Sequence, residues 1–171
     1  MKNNKMREIE IEKVVLSIGG IGDELEKGAK LLELISGMKS TKTTARKRIP
    51  AFGIRPGLAI GCKVTLRGKK GKEILKNLLS AVSNQLKNKQ VRDEDLSFGI
   101  DEYIEIPGME YQRDIGMIGL NITVVFKRKG KRVETKKIKR GKIPRRQRTT
   151  KQEVIEYMIK NFKTEILEGK K

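Results

Sequence analysis

Hydrophobic and polar residues alternate with a period of two in several short stretches of the chain, a pattern that predicts β-strands. The alternating stretches are residues 13–18, 61–68, 98–106 and 120–127. In the second of them, Cys62, Val64 and Leu66 occupy one face of the predicted strand. Its other face carries Lys63, Thr65 and Arg67. Each predicted strand therefore has an apolar face for a core and a polar face that can meet solvent.

Three longer stretches place their apolar residues with the helical period. They cover residues 23–36, 72–86 and 150–167. Gly37 is a suitable end for the first helix, and Thr150 with Glu153 forms the T-x-x-E pattern that opens the third. We expect residues 39–48 to be a strand on an open face or a loop. The order of elements predicts a single α+β domain over residues 1–171: a mostly antiparallel sheet, helices packed on one face, and the other face open.

The charge of the chain points to its partners. The 171 residues include 40 Lys and Arg against 21 Asp and Glu, for a net charge of +19. Residues 39–72 hold eleven basic residues and no acidic one, and residues 127–148 hold thirteen basic residues against Glu134 alone. Such stretches repel themselves unless an anionic partner is present. Nucleic acid is the partner that this pattern favours.

The polar face of residues 61–68 narrows that prediction. Lys63 and Arg67 flank Thr65, which combines positive charge with a hydroxyl group for sugar and phosphate contacts. Aromatic residues are only 4% of the chain, so stacking on unpaired bases is not expected to dominate. Structured RNA, read through its backbone and its 2′-hydroxyl groups, fits best.

Residues that usually perform catalysis are scarce. The chain has no histidine, and its one cysteine, Cys62, alternates with core residues. The glycine turn at residues 19–22 is followed by Asp23 and Glu24, which favour a structural turn over a phosphate site. We therefore expect no enzyme activity, cofactor or metal. We also expect no membrane contact, because no apolar run approaches the length of a membrane-spanning helix.

Several motifs then resemble one known family. The segments "IEKVVLSIGGIGD", "LEKGAKLLELISGMK", "FGIRPGLAIGCKVTLRG", "SFGIDEYIEIPGMEY" and "IGLNITVVFK" occur in the order found in the ribosomal protein L-five family of the large subunit. The resemblance covers residues 6–128. The basic tail "KIPRRQRTTKQEVIEYMIKNF" and the short N-terminus are similar to the archaeal type.

The resemblance implies a structural role without catalysis. Family members bind 5S rRNA and attach it to the large subunit in the central protuberance, in the cytoplasm. The implied partners are 5S rRNA, other large-subunit rRNA and proteins, the P-site tRNA, and a small-subunit head protein of the S-thirteen family that forms an intersubunit bridge. A homo-oligomer is not expected.

Alternation and resemblance together assign two groups of site residues. The expected rRNA contacts are Lys13, Ser17, Lys39, Lys42, Thr43, Arg46, Lys47, Lys63, Thr65 and Arg67. The expected tRNA-contact loop is Phe52, Gly53, Ile54, Arg55, Pro56 and Gly57. Two positions depart from the bacterial pattern: Ser17 stands where asparagine is usual, and Met38 where glutamine is usual.

Two other functions remain open from the sequence. One is an RNA-acting enzyme, for example one that modifies tRNA, and the missing histidine and cofactor motifs weigh against it. The other is an RNA-binding or chaperone module that acts away from the ribosome, which charge alone does not exclude.

Overall fold

The computed structural model describes residues 4–167. Seven strands and four α-helices follow one another along this part of the chain. In chain order they are β1 (Ile9–Gly19), α1 (Asp23–Ser36), β2 (Thr41–Thr44), β3 (Ala59–Leu66), α2 (Gly68–Ala81), β4 (Gln85–Lys87), β5 (Asp95–Ile100), β6 (Leu120–Arg128), α3 (Arg132–Thr135), α4 (Lys151–Phe162) and β7 (Glu165–Leu167). No helix among these residues is long and apolar enough to cross a membrane.

The main sheet has five strands in the order β2-β3-β1-β6-β5, and every neighbouring pair is antiparallel. β1 lies at its centre, where Val14 faces Leu66 of β3 on one side and Val124 of β6 on the other. The architecture confirms the α+β class with a mostly antiparallel sheet.

The core lies on one face of this sheet because apolar residues alternate along all its long strands. The buried apolar side chains of β1, β3, β5 and β6 come from that one face, and they form a single cluster with the inner sides of α1, α2 and α4. On α4, Val154 and Met158 are buried, and the ring of Tyr157 meets the ring of Phe126 edge-on with 5.8 Å between centroids. The predicted inward faces of the strands and of α1 are therefore confirmed.

Three predicted boundaries are wrong. The second helix begins at Gly68 and ends at Ala81, because Ser83 and Asn84 take positive φ angles and turn the chain out of the helix. β5 stops at Ile100, and Tyr103–Glu105 forms a 3-10 turn instead of continuing the strand.

The third error concerns the C-terminal helix predicted over residues 150–167. It ends at Phe162, and Lys163 adopts the left-handed conformation that closes it. The following strand β7 then pairs in parallel with β4, so Ile166 lies opposite Leu86. The predicted capping box of Thr150 and Glu153 is confirmed at the start of α4.

β1 begins at Ile9, four residues earlier than the alternation predicts. The sequence pattern does not show this extension, because a β-bulge between Ile11 and Lys13 inserts one residue and shifts the alternation of apolar positions. Acidic residues before and within the bulge form ion pairs with residues just after the end of β6. Lys129 Nζ lies 2.9 Å from Glu8 and 3.6 Å from Glu10, and Lys131 Nζ lies 3.0 Å from Glu12.

Candidate nucleic-acid interface

The face of the main sheet opposite the core carries rows of polar side chains, which we call the open face. The register sets these rows. Ser17 of β1 lies between Lys63 of β3 and Asn121 of β6, and Thr41 of β2 continues the row beyond Lys63. All four side chains are exposed or half-buried. The row offers one positive charge and several hydrogen-bonding groups on a flat surface.

A second row runs parallel to the first. Thr65 of β3, Val15 of β1, Thr123 of β6 and Ser97 of β5 follow one another across the sheet. The hydroxyl oxygens of Ser97 and Thr123 lie 3.3 Å apart. Beyond this row, the exposed Arg67 and the half-buried Lys13 add positive charge at one end of the face.

Three residues of the open face were not predicted from the sequence. Asn121 and Thr123 lie on the polar side of the strand predicted over residues 120–127, and Ser97 directly precedes the strand predicted over residues 98–106, but none of them was assigned to a site. Their place in the same rows as Lys63 and Thr65 depends on β6 pairing with β1, which brings together residues such as Ser17 and Asn121 that lie 104 positions apart. The alternation of β5 and β6 shows the polar side, but the register needs the structure.

The remaining residues predicted to contact rRNA lie around β2. Thr43 shares the open face and lies opposite Gly61. Lys42 lies opposite Cys62, which belongs to the core face, so the exposed Lys42 side chain lies at the sheet edge on the helix side. Lys39, Arg46 and Lys47 are exposed before and after β2. The structure therefore gathers most of the predicted set on the open face and along the edge next to it.

Two sequence departures have clear positions. Ser17 lies on the open face, and its Oγ is 3.4 Å from the carbonyl oxygen of Asn121, so an amide side chain stands directly beside the shorter serine. Met38 is exposed after the end of α1, where its backbone N–H donates a hydrogen bond to Ser36 Oγ. Lys39 next to it offers an exposed charge that Met38 lacks.

The predicted tRNA-contact residues form the tip of a structured loop between β2 and β3. Backbone hydrogen bonds join Ala45 and Leu58 at its base, and Ile49 with Ile54 farther out. Leu58 N–H donates to the Arg55 carbonyl, and Gly57 at the third turn position has φ of 87°, so Arg55 to Leu58 form a tight turn of the kind that a Pro-Gly pair favours. Phe52 ends a 3-10 turn and is 72% exposed.

Cys62 has the environment of a core residue. Burial raises the pKa of its thiol, against smaller effects of the Ile18 carbonyl and the Lys42 charge. A thiol with a raised pKa is a poor nucleophile. Within residues 4–167, no group of three or more Cys, Asp and Glu side chains is placed to hold a metal ion.

Fold and site together define a class of protein: a basic α+β protein whose open sheet face and stiff loop have the composition of a surface for a polyanion. Two family models match the chain. The model described as "Ribosomal protein L5" matches residues 4–55, and a second model, for the C-terminus of the same ribosomal family, matches residues 59–157. The chain belongs to the ribosomal protein L5 family, which is a family of structural proteins and not of enzymes.

Curated relatives agree with that assignment over almost the whole chain. Large ribosomal subunit protein uL5 of Nanoarchaeum equitans is 46% identical over 165 residues, which are 95% of this chain and 98% of the relative. The protein of the same name from Sulfurisphaera tokodaii is 40% identical and covers 97% of this chain and 96% of its own length. That of Methanococcus maripaludis is 41% identical, with 95% and 93% covered. The similarity to archaeal members, expected from the basic tail, is confirmed.

Proposed function

We propose that this protein binds 5S rRNA through its open face and helps to attach that RNA to the large subunit in the central protuberance. As a member of the L5 family, it is a structural protein of the large ribosomal subunit, and the cytoplasm is where it works. The enzyme alternative is therefore set aside. The observation that carries the proposal is the pair of polar rows on the open face, with Lys63 in the first row and Lys13 and Arg67 beyond the second.

The chemistry of the open face suits the backbone of folded RNA. Hydroxyl and amide groups can bond to phosphate oxygens and 2′-hydroxyl groups, while Lys63, Arg67 and Lys13 supply the charge that gives most of the affinity. Aromatic side chains do not appear in the two polar rows. Recognition by shape and backbone fits this surface better than base stacking does.

The proposal also assigns the loop and a further partner. The loop tip would touch the P-site tRNA, because it combines the exposed Phe52 with Arg55 on a hydrogen-bonded base. Another surface of the protein would bridge to a small-subunit head protein of the S-thirteen family. This bridge rests on the family resemblance alone.

The test replaces Lys63→Ala and Arg67→Ala together and measures binding to 5S rRNA at several salt concentrations. We expect weaker binding and a salt dependence flatter by about one unit of log slope for each lost phosphate contact. The matched control is Lys72→Ala with Lys76→Ala, which removes the same charge from the exposed side of α2. An unchanged slope in the first variant, or an equal loss in both, would remove the open face from the interface.

A further inference from the structure

We propose that a cavity at the end of β6 is a second RNA site, separate from the open face and the loop, and that it holds one unpaired nucleotide. The cavity has a volume of about 490 Å³. Its walls are the end of β6, the 3-10 turn Lys5–Arg7 before β1, and parts of residues 130–149. This volume lies within the range of pockets that enclose small ligands. The basic stretch at residues 127–148 thus contributes part of the cavity wall as well as positive charge.

The cavity is strongly cationic. Eight basic side chains line it, against the two acidic side chains of Glu94 and Glu134. Four of the basic residues already have acidic partners: Arg128, Lys129, Lys131 and Arg148. The other four form no ion pair with any residue of the described chain: Arg7, Lys127, Lys142 and Arg146. A phosphate is the ligand that such a surplus of unpaired cations favours.

A buried guanidinium marks the inner wall of the cavity. The Arg128 side chain is only 8% exposed, and its Nη2 donates to the carboxylate of Glu153. Its Nε has no hydrogen-bond partner in the described chain. A buried N–H without an acceptor is costly, and a guanidinium has five N–H donors to satisfy. A phosphate in the cavity would bring acceptor oxygens to this side chain.

The cavity also has an apolar side, which a bare anion would leave unused. Met6, Val133 and Ile143 line it. Two of these side chains lie directly over glycines: Met6 Cε is 3.1 Å from the position of a Cβ on Gly130, and Val133 Cγ1 is 2.8 Å from one on Gly141. Because glycine has no side chain, Met6 and Val133 can pack closely against the backbone at Gly130 and Gly141. An unpaired base can lie against such a wall, and the nearby Gln147 amide can bond to the edge of a base.

A nucleotide fits this combination better than an acidic peptide does. A peptide carboxylate would satisfy the cations but would not occupy the apolar wall. A nucleotide joins a phosphate and a flat base within one ligand of the right size. RNA is favoured over a free nucleotide because unpaired cations such as Lys127, Lys142 and Arg146 can contact phosphates on both sides of the bound base.

The test follows the Arg128 Nε–H and Val133 methyl resonances by NMR in the full chain. The probes are a single-stranded pentaribonucleotide, adenosine monophosphate, inorganic phosphate and a hexaglutamate peptide. We expect the pentaribonucleotide to shift both resonances and inorganic phosphate to shift that of Arg128 alone. Adenosine monophosphate should shift both but bind about tenfold more weakly than the pentaribonucleotide, because it lacks neighbouring phosphates.

A pair of variants separates a built site from plain charge. Lys142→Ala with Arg146→Ala removes two cavity cations, and we expect the pentaribonucleotide affinity to fall about tenfold. Lys137→Ala with Arg145→Ala removes one exposed lysine and one exposed arginine of the same stretch that do not line the cavity, and the affinity should change less than about twofold.

The outcomes that would overturn the proposal are distinct. Arg128 and Val133 resonances that do not move at saturating RNA, or equal weakening in the two double variants, would exclude a nucleotide site. Equal binding of hexaglutamate would assign the cavity to acidic protein segments instead, and equal binding of adenosine monophosphate would assign it to free nucleotides. The Lys63→Ala, Arg67→Ala variant should still shift both resonances, so failure of the open-face proposal can be told apart from failure of this one.

Discussion

Asn121 occupies the position that gives the open face its amide group. It lies opposite Ser17 of the central strand β1. A serine hydroxyl can donate one hydrogen bond and accept two, but it reaches less far than an amide does. Because Asn121 is exposed on the neighbouring strand, an amide remains available within the same polar row. The chemistry of the row is thus shared between two strands.

Glu153 joins three parts of the structure at the residue scale. Its carboxylate accepts hydrogen bonds from Arg128 and from the backbone N–H of Thr150. Burial raises the pKa of Glu153, but the hydrogen bonds of Thr150 and Arg128 outweigh it, so the pKa lies below its ordinary value. A carboxyl with a lowered pKa stabilises the fold above its unfolded pKa, and this stabilisation disappears as the pH falls through the lowered value.

Glu153→Gln tests this linkage. Glutamine keeps the capping hydrogen bond but loses the charge, so we expect the free energy of unfolding at pH 7 to fall by about 1 kcal/mol, a modest value because the carboxylate is partly exposed. Urea unfolding at pH 7 and in acid would measure it. The difference between variant and natural protein should shrink in acid, and a difference that stays constant with pH would contradict the role of the charge.

Within the predicted strands that the structure confirms, the alternation of side chains was enough to predict which residues face the core. Leu16, Val64 and Ile122 all face the core as expected, because a period of two sorts a strand into two faces without knowledge of its partners. Ion pairs such as Lys131 with Glu12 could not be predicted in this way. They join residues far apart in the chain, and the spacing of the acidic residues around the start of β1 does not indicate their partners.

The loop between β2 and β3 has a fixed backbone conformation before any partner binds. Its base is held by backbone hydrogen bonds, and its tip presents Phe52 and Arg55 to solvent. A loop ordered before binding loses less conformational entropy when it meets a partner. A preformed loop of this kind fits the contact with tRNA that we propose for it.

Phe52→Ala with Arg55→Ala tests the division of labour between loop and sheet. We expect P-site tRNA binding to reconstituted ribosomes to weaken by several-fold, because apolar contact and one charge are lost. Binding to 5S rRNA should change less than about twofold, since these side chains lie on the loop tip and not on the open face. Loss of 5S rRNA affinity in this variant would contradict the proposed separation of the two surfaces.

The end of a helix was predicted correctly where a local residue marks it. It was not predicted where the next residues form a strand with a partner far away in the sequence. Gly37 takes the left-handed conformation and closes α1 at the predicted residue. The end of α2 was missed because Leu86 continues the apolar pattern, although it belongs to β4. The end of α4 was missed for the matching reason, since Ile166 of β7 pairs with that same strand. Pairing between two three-residue strands leaves no clear period in the sequence.

At the scale of the whole molecule, the net charge of +19 affects which molecules the protein associates with at low salt. Such a chain binds many polyanions weakly, so association at low salt says little about specificity. Specific binding uses both shape and charge, and it therefore persists at salt concentrations where nonspecific binding is lost.

Sedimentation in moderate salt tests the ribosomal role against an RNA chaperone that acts elsewhere. We expect the protein from a native lysate to travel with large subunits, and the Lys63→Ala, Arg67→Ala variant to shift in part to the free fraction. The α2 variant Lys72→Ala, Lys76→Ala serves again as the control of equal charge. Natural protein that stays in the free fraction at moderate salt would favour the off-ribosome alternative.

The central place of β1 in the sheet also bears on how the chain folds. β1 comes before its two partners in sequence, and the pairs Val14 with Leu66 and Val14 with Val124 close long segments of chain. Closing such segments costs conformational entropy before the hydrogen bonds form, which slows folding. We expect refolding on the timescale of milliseconds to seconds that is usual for sheets with distant pairing. Until β6 pairs with β1, one edge of β1 has unpaired backbone N–H and C=O groups. At that edge the folding chain can form incorrect strand pairs, including pairs with other chains.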